Sequence, residues 1–148
     1  MDALNTAVNF VCTQEGFAPN SYKDSGGVDT VGFGFTGKMH DGRDVKGVRN
    51  LSADEAKMEL TYRIKGLILS IKTLCGKIEL NENQTAALVS FAYNIGLDKF
   101  SKSMLMRKIK SEDFLAASDE FQRWALCNGK PLLGLKRRRH REAILFLS

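Results

Sequence analysis

Residues 15–35, EGFAPNSYKDSGGVDTVGFGF, change character along their length and set the reading of the whole chain. Glu15-Gly16 ends an apolar pattern of helical period, and glycine is a natural helix stop. Pro19-Asn20 and Asp24-Ser25-Gly26-Gly27 are turn chemistry. Thr30-Val31-Gly32-Phe33-Gly34-Phe35 then reads as a strand, with Thr30, Gly32 and Gly34 on one face and Val31, Phe33 and Phe35 on the other. Glycines on one face leave room for a ligand or a neighbouring backbone to come close. The stretch predicts a helix end running into a small β-hairpin. It gathers two carboxylates, Glu15 and Asp24, and one threonine, Thr30.

Upstream, Leu4, Ala7, Val8, Val11 and Cys12 recur at helical spacing, so residues 2–14 read as a helix with Glu15 at its end. A carboxylate there opposes the helix macrodipole by roughly 0.3–1 kcal/mol, a misfit that favours the protonated acid. Downstream, residues 37–50 are polar and irregular, a long loop or a further hairpin arm. Ser52-Ala53-Asp54-Glu55 is a capping box for a helix over residues 52–74, which at ~1.5 Å per residue spans on the order of 30 Å. Asn81 or Asn83 caps a helix reaching Ile95, with Gly96 at its C′ position. Its apolar residues cover nearly the whole circumference, the mark of a buried central helix. Short helices follow near residues 102–110 and 113–125, and a last one runs over residues 135–147. The expected class is α+β and predominantly helical, with one small sheet near residues 21–36.

With 148 residues the chain can bury a core, and its 43% hydrophobic and 26% charged content suits a soluble globular protein. Charge is uneven. Residues 100–148 carry 11 Lys+Arg against 5 Asp+Glu, whereas residues 1–99 carry 11 against 12. A basic C-terminal third points to an anionic polymer nearby, whether nucleic acid, a phospholipid surface or an acidic wall glycan, with a solvated helix face as the equal alternative. Cys12, Cys75 and Cys127 show neither disulfide framework nor metal spacing, which favours a reducing compartment during synthesis. With only His40 and His140, no His-rich metal site is expected. No secretory signal and no apolar run of about 20 residues is found, so synthesis in the cytoplasm without stable membrane insertion is expected.

Cutting a glycosidic bond needs a carboxylic acid to protonate the leaving oxygen and a carboxylate to activate water or attack the sugar. Glu15 and Asp24 fill these roles if their environments differ. Raising Glu15 by ~2 units above ~4.3 means disfavouring its ionised form by roughly 2.7 kcal/mol, which partial burial beside apolar residues can do. Thr30 can hydrogen-bond a water held by Asp24, since a hydroxyl both donates and accepts. The triple Glu-x8-Asp-x5-Thr has little specificity, arising by chance in about a few per cent of chains this long. On spacing alone a surface Glu, a turn Asp and a strand Thr is the stronger reading.

The surrounding residues shift that balance. Glu15-Gly16, Tyr22, Asp24, Gly27 and Thr30-Val31-Gly32-Phe33-Gly34 together resemble phage-type lysozymes, glycoside hydrolase family 24. Gln84, the run Ala87-Leu88-Val89-Ser90-Phe91-Ala92-Tyr93-Asn94-Ile95-Gly96, then Phe100, Ser101 and Ser103, resemble the central helix and cleft wall of the endolysin branch. Arg123-Trp124, Gly129-Lys130 and Gly134-Leu135 before Arg137-Arg138-Arg139 resemble its C-terminal signature.

The resemblance covers nearly the whole chain and implies a single two-lobed domain. Its small αβ lobe falls at about 14–51, the connecting helix at about 52–75, and the helical lobe comprises about 76–148 plus the N-terminal helix. It implies Glu15 as general acid, with Asp24 and Thr30 positioning the attacking water. The implied reaction is metal-free, inverting hydrolysis of the β-1,4 bond between N-acetylmuramic acid and N-acetylglucosamine in peptidoglycan. Tyr93, Asn94, Phe100 and Ser103 match the sugar-facing segment, although core packing is an equal reading for Tyr93 and Phe100 and the stronger one for Trp124. One arginine of the last helix is expected near the acid. The other basic residues there oppose the helix dipole, which calls for carboxylate partners. Many relatives carry His after the Gly-x-Gly, where this chain has Phe35, and the change removes a polar contact between strand and helical lobe.

The expected partner is the peptidoglycan glycan strand, met by a monomer without cofactor that leaves the host cytoplasm for the cell wall at lysis through a separate holin. Rival readings are a non-catalytic wall-binding component of a phage particle and a basic helical module for nucleic acid, which lacks any groove-reading motif.

Overall fold

The computed structural model describes residues 2–148. Helix α1, Ala3–Glu15, starts where Asp2 Oδ1 accepts the Asn5 amide at 2.8 Å and stops at Gly16, whose φ of 70° closes the last turn. Strands β1 (Ala18–Lys23), β2 (Asp29–Gly32) and β3 (Phe35–Thr36) form an antiparallel sheet in the order β1-β2-β3. Tyr22 pairs with Thr30, and Thr30 in turn with Thr36.

The continuous strand expected over residues 30–35 is interrupted. Phe33 and Gly34 form a tight turn between β2 and β3, so Val31 faces Phe35 across the ladder. Gly32, at φ 67°, leaves space for a side chain of its own unit rather than for a ligand. A Cβ on it would lie 2.5 Å from the Phe35 ring and 3.2 Å from a Leu51 methyl. The arm over 37–50 is irregular and held by a bridge between Lys38 and Asp44.

Helix α2, Ala53–Cys75, begins with the expected box: the Glu55 amide donates to Ser52 Oγ at 3.0 Å and the Ser52 amide to Glu55 Oε1 at 3.4 Å. Helix α3, Glu82–Ile95, is capped by Asn81 through a second box with Gln84. Helices α4 (Leu97–Ser101), α5 (Met104–Lys110) and α6 (Phe114–Glu120) lead through a 3₁₀ turn at Phe121–Trp124 to α7, Leu133–Phe146. Between them lies a two-stranded hairpin, β4 (Leu126–Cys127) and β5 (Lys130–Pro131), that the expectation of a single sheet left out. Its turn is Asn128-Gly129, both at positive φ, the pair that two-residue hairpins favour.

The chain divides into two compact units, Val8–Lys65 and Gly66–Ser148 with the N-terminal residues up to Ala7. Within the second, α3 packs on α7 and buries every residue from Thr85 to Ala92. Phe91 stands edge-on to Phe100, Phe121 and Trp124, with ring centroids 6.1, 5.3 and 5.8 Å away. Within the first, Val31, Phe35, Leu60 and Ile64 are fully buried. The fold is thus mostly helical with small antiparallel sheets.

Candidate active site

Glu15, Asp24 and Thr30 fall in one compact unit, and local chain chemistry fixes each of them. Glu15 is the last residue of α1 and half-buried. Just past it, the Phe17 ring lies 5.4 Å from that of Phe33.

Asp24 sits in the turn between β1 and β2. Its Oδ1 accepts two backbone amides, Gly26 at 2.8 Å and Val28 at 2.9 Å, while its own amide donates to the Val28 carbonyl at 2.9 Å. Small residues make this turn possible, since Gly27 takes φ 78° and Gly26 lies against the carboxylate. With Oδ1 engaged, Oδ2 is the oxygen available to a water or sugar.

Thr30 is 4% exposed, and its Oγ1 donates to the same Val28 carbonyl at 2.9 Å. The hydroxyl proton is therefore committed, and what the side chain offers a water is its lone pairs. A water giving one hydrogen to Asp24 Oδ2 and the other to Thr30 Oγ1 would have its own lone pair left for attack.

Tyr93, Asn94, Phe100 and Ser103 belong to the other unit. Tyr93 is half-buried in the last turn of α3. Asn94 is exposed, and its Oδ1 accepts from Arg139 Nη2. Of the two readings held equal for Phe100, the structure takes core packing: fully buried against Phe91, its ring has no face for a sugar. Ser103 is an N-cap rather than a sugar contact. Its hydroxyl donates to the Phe100 carbonyl at 2.7 Å and accepts the Met106 amide at 3.1 Å.

Two charged networks stand apart from the three candidate residues; the first escaped the reading of the sequence, and of the second only the need for carboxylate partners was read. In the unit of Glu15, the Glu59 carboxylate is 1% exposed; Oε1 accepts the His40 amide at 2.9 Å and meets His40 Nδ1 at 2.5 Å. Its Oε2 accepts Arg63 Nε at 2.9 Å. Burial works to raise this carboxyl, but the His40 amide, the His40 ring and Arg63 together outweigh it and hold Glu59 below the usual range. Arg63 also donates to the Lys38 carbonyl at 2.8 Å, and its guanidinium lies 4.8 Å over the Phe35 ring. Phe35 thus makes a cation–π contact. Only the i,i+4 spacing of Glu59 and Arg63 advertised any of this. A groove of about 650 Å³ beside the network, lined by His40, Lys57, Met58, Thr61, Tyr62 and Lys65, includes none of the three candidate catalytic residues.

In the second unit Glu142 is fully buried between α7 and α3. Ser90 Oγ donates to its Oε2 at 2.6 Å, Arg138 Nε lies 3.4 Å from Oε2 and Arg139 Nη1 3.0 Å from Oε1. Burial pushes this carboxyl up, while Arg139, the Ser90 hydroxyl and Arg138 pull the other way. Arg138 and Arg139, two members of the basic run, thus have the kind of carboxylate partner that the run called for. Among the described residues no group of His, Cys, Asp and Glu is arranged to hold a metal ion, and Cys12, Cys75 and Cys127 are free thiols.

A family model described as phage lysozyme matches residues 12–142. The endolysin of Salmonella phage P22 is 36% identical over 148 residues, an alignment covering 100% of this chain and 99% of that one. The endolysin of Bacillus phage B103 is 31% identical, and the chain spans 55% of its length. Among solved structures, a mutant of P22 lysozyme superimposes with a TM-score of 0.85 at 32% identity, covering 100% of this chain and 99% of the other. The muramidase domain of SpmX from Asticaccaulis excentricus does so with a TM-score of 0.82 at 27% identity, covering 96% and 95%. With a family model spanning most of its length and a relative aligned end to end, the chain belongs to the phage lysozyme family.

Proposed function

We propose that the chain is a muramidase acting as a phage endolysin, a glycoside hydrolase whose substrate is peptidoglycan. Residues 1–148 are read as a single lysozyme-like domain. The bond cut is the β-1,4 link from N-acetylmuramic acid to N-acetylglucosamine. Glu15 gives its proton to the glycosidic oxygen as the C1–O bond breaks. A water held by Asp24 Oδ2 and Thr30 Oγ1 attacks C1 from the opposite face and passes its proton to Asp24. One displacement inverts the anomeric carbon. The enzyme works as a monomer without metal or organic cofactor, with Tyr93 and Asn94 as sugar contacts. No helix among the described residues is long and apolar enough to cross a membrane. Passage to the wall is assigned to a lesion made by a separate holin.

The observation that supports this reading most strongly is that Asp24 and Thr30 are tied to one residue, Val28, with one carboxylate oxygen and the hydroxyl lone pairs left over. Digestion of purified peptidoglycan with reducing-end analysis by mass spectrometry tests it. Muramic acid at the new reducing ends is the expected product, and new amino groups would refute the assignment. Glu15→Gln should abolish the digestion with the thermal midpoint nearly unchanged; activity retained in a pure preparation of that variant would remove Glu15 from its role.

A further inference from the structure

The outward face of α7 is built unlike a simply solvated helix. At about 100° per residue, Leu133, Lys136, Arg137, His140, Arg141 and Ile144 fall within an arc of roughly 140°. All six are exposed, whereas Arg138, Arg139, Glu142 and Phe146 on the opposite side are buried. The helix has one carboxylate, Glu142, and it points inward to the two buried arginines. Among the described residues, Lys136 and Arg137 have no carboxylate within ion-pair distance. They also stand near the positive end of the helix dipole, so an external anion relieves them. In α6, which packs against α7, Glu120 is taken by Arg123 at 2.7 Å.

The cationic centre is bracketed by aliphatic side chains turned to solvent. Leu132 and Leu133, at the start of the helix, are 48% and 60% exposed; Ile144 and the capping Leu147, at its end, are 56% and 55% exposed. A soluble polyanion recognises charge and gains nothing from aliphatic side chains exposed at both ends of the same face. A bilayer with acidic headgroups takes both, with phosphates on the cations and aliphatic chains in the upper acyl region.

We propose that the exposed face of α7 docks the protein on an anionic phospholipid surface, lying in the interface plane without insertion across it. The contact is independent of the muramidase reading and stands or fails apart from it. It gives the protein a membrane-bound population besides the one at the wall.

Co-sedimentation of the full chain with phosphatidylcholine vesicles, with and without phosphatidylglycerol, tests the assignment. Binding is expected only when phosphatidylglycerol is present. Lys136→Glu with Arg137→Glu should lower partitioning on the order of 100-fold. Leu133→Ser with Ile144→Ser should also lower it severalfold while leaving retention on soluble poly-L-glutamate unchanged. Equal binding to both vesicle types overturns the proposal, as does an apolar double variant that binds like the parent. Lys57→Glu with Lys65→Glu, an equal charge change in the other unit, is expected to leave vesicle binding near that of the parent; an equal loss there means a general charge effect and overturns it too. All these positions are exposed, and a thermal scan of each variant confirms that folding is intact.

Discussion

Asp24 and Thr30 are fastened to the same backbone residue: the Val28 amide donates to Asp24 Oδ1 at 2.9 Å, and the Val28 carbonyl accepts Thr30 Oγ1 at 2.9 Å. Neither side chain can shift without the other's anchor moving, so the turn pre-organises the pair that the proposed mechanism assigns to the attacking water. Asp24→Asn keeps an oxygen for both amides and removes the base. The expected result is an intact fold with kcat down by roughly 10²–10⁴. Thr30→Val removes the lone pairs and should lower kcat by about 10², at a stability cost of about 1 kcal/mol, whereas Thr30→Ser keeps most of both. Steady-state rates on purified peptidoglycan, paired with denaturant melts, check the three variants; full activity in Asp24→Asn would sink the assignment.

Gly32 is required for space as well as backbone conformation. Gly32→Ala places a Cβ 2.5 Å from the Phe35 ring at φ 67°, and Phe35 is fully buried. Gly37→Ala meets a similar φ of 74° with nothing within 4 Å. The second change should cost about 1 kcal/mol for the left-handed backbone alone, and the first a further 1–3 kcal/mol for overpacking. Parallel urea melts of the two variants isolate the packing part as their difference.

Most helices were legible in the sequence, because caps and apolar period are local signals; α4 was not among those expected. Ser52 with Glu55, and Gly16 and Gly96 at helix ends, act where the sequence places them, and of Asn81 and Asn83 it is Asn81 that caps α3. The Phe33-Gly34 turn was not legible, since alternation across Thr30–Phe35 satisfies a strand equally well. The structure breaks that run where Gly32 and Gly34 both take positive φ, and the Phe35 ring fills the space that a side chain at Gly32 would need. The hairpin at Asn128-Gly129 had a readable signal, but its flanking strands are too short to show a period. At the candidate site the residue types and order were readable, whereas their shared anchor on Val28 was not. It depends on which way a carbonyl points. For Phe100 the sequence left sugar contact and core packing level, and only the packing against Phe91 decides for the core.

The Glu59 carboxyl is held below its ordinary range, so the sign of its pH effect follows. Its contribution to stability is fully present above the unfolded value of ~4.3 and is lost as pH falls through the lower folded value. Glu59→Gln should cost about 2 kcal/mol near neutral pH, because Arg63 and His40 lose their charged acceptor. The gap between parent and variant should stay constant down to about pH 5 and close below about pH 4. Urea midpoints across that range check it; a gap that widens toward acid would show the shift to have the opposite sign.

Glu142 presents a different case, because its partners are also buried. Arg139 is fully enclosed and Arg138 nearly so, and both reach the same carboxylate that Ser90 binds at 2.6 Å. Removing the acid alone takes the buried carboxylate from two guanidinium groups that stay charged in the packed interior between α3 and α7. Glu142→Leu should therefore cost about 3–5 kcal/mol. Replacing the set, as Arg138→Met, Arg139→Met and Glu142→Leu together, removes the charges with the acid and should recover most of that loss, since apolar residues of similar volume substitute well for buried ion pairs. The triple variant also loses the Arg139 hydrogen bond to Asn94, and with it the restraint on an exposed amide at the end of α3. If the network serves mainly to hold Asn94, the triple variant will fold near the parent's stability yet show a raised KM on peptidoglycan. If it serves only the packing of α7 on α3, KM will stay where it was. Thermal melts and steady-state kinetics on the same two preparations separate these outcomes, and a triple variant less stable than Glu142→Leu alone would contradict the account of burial.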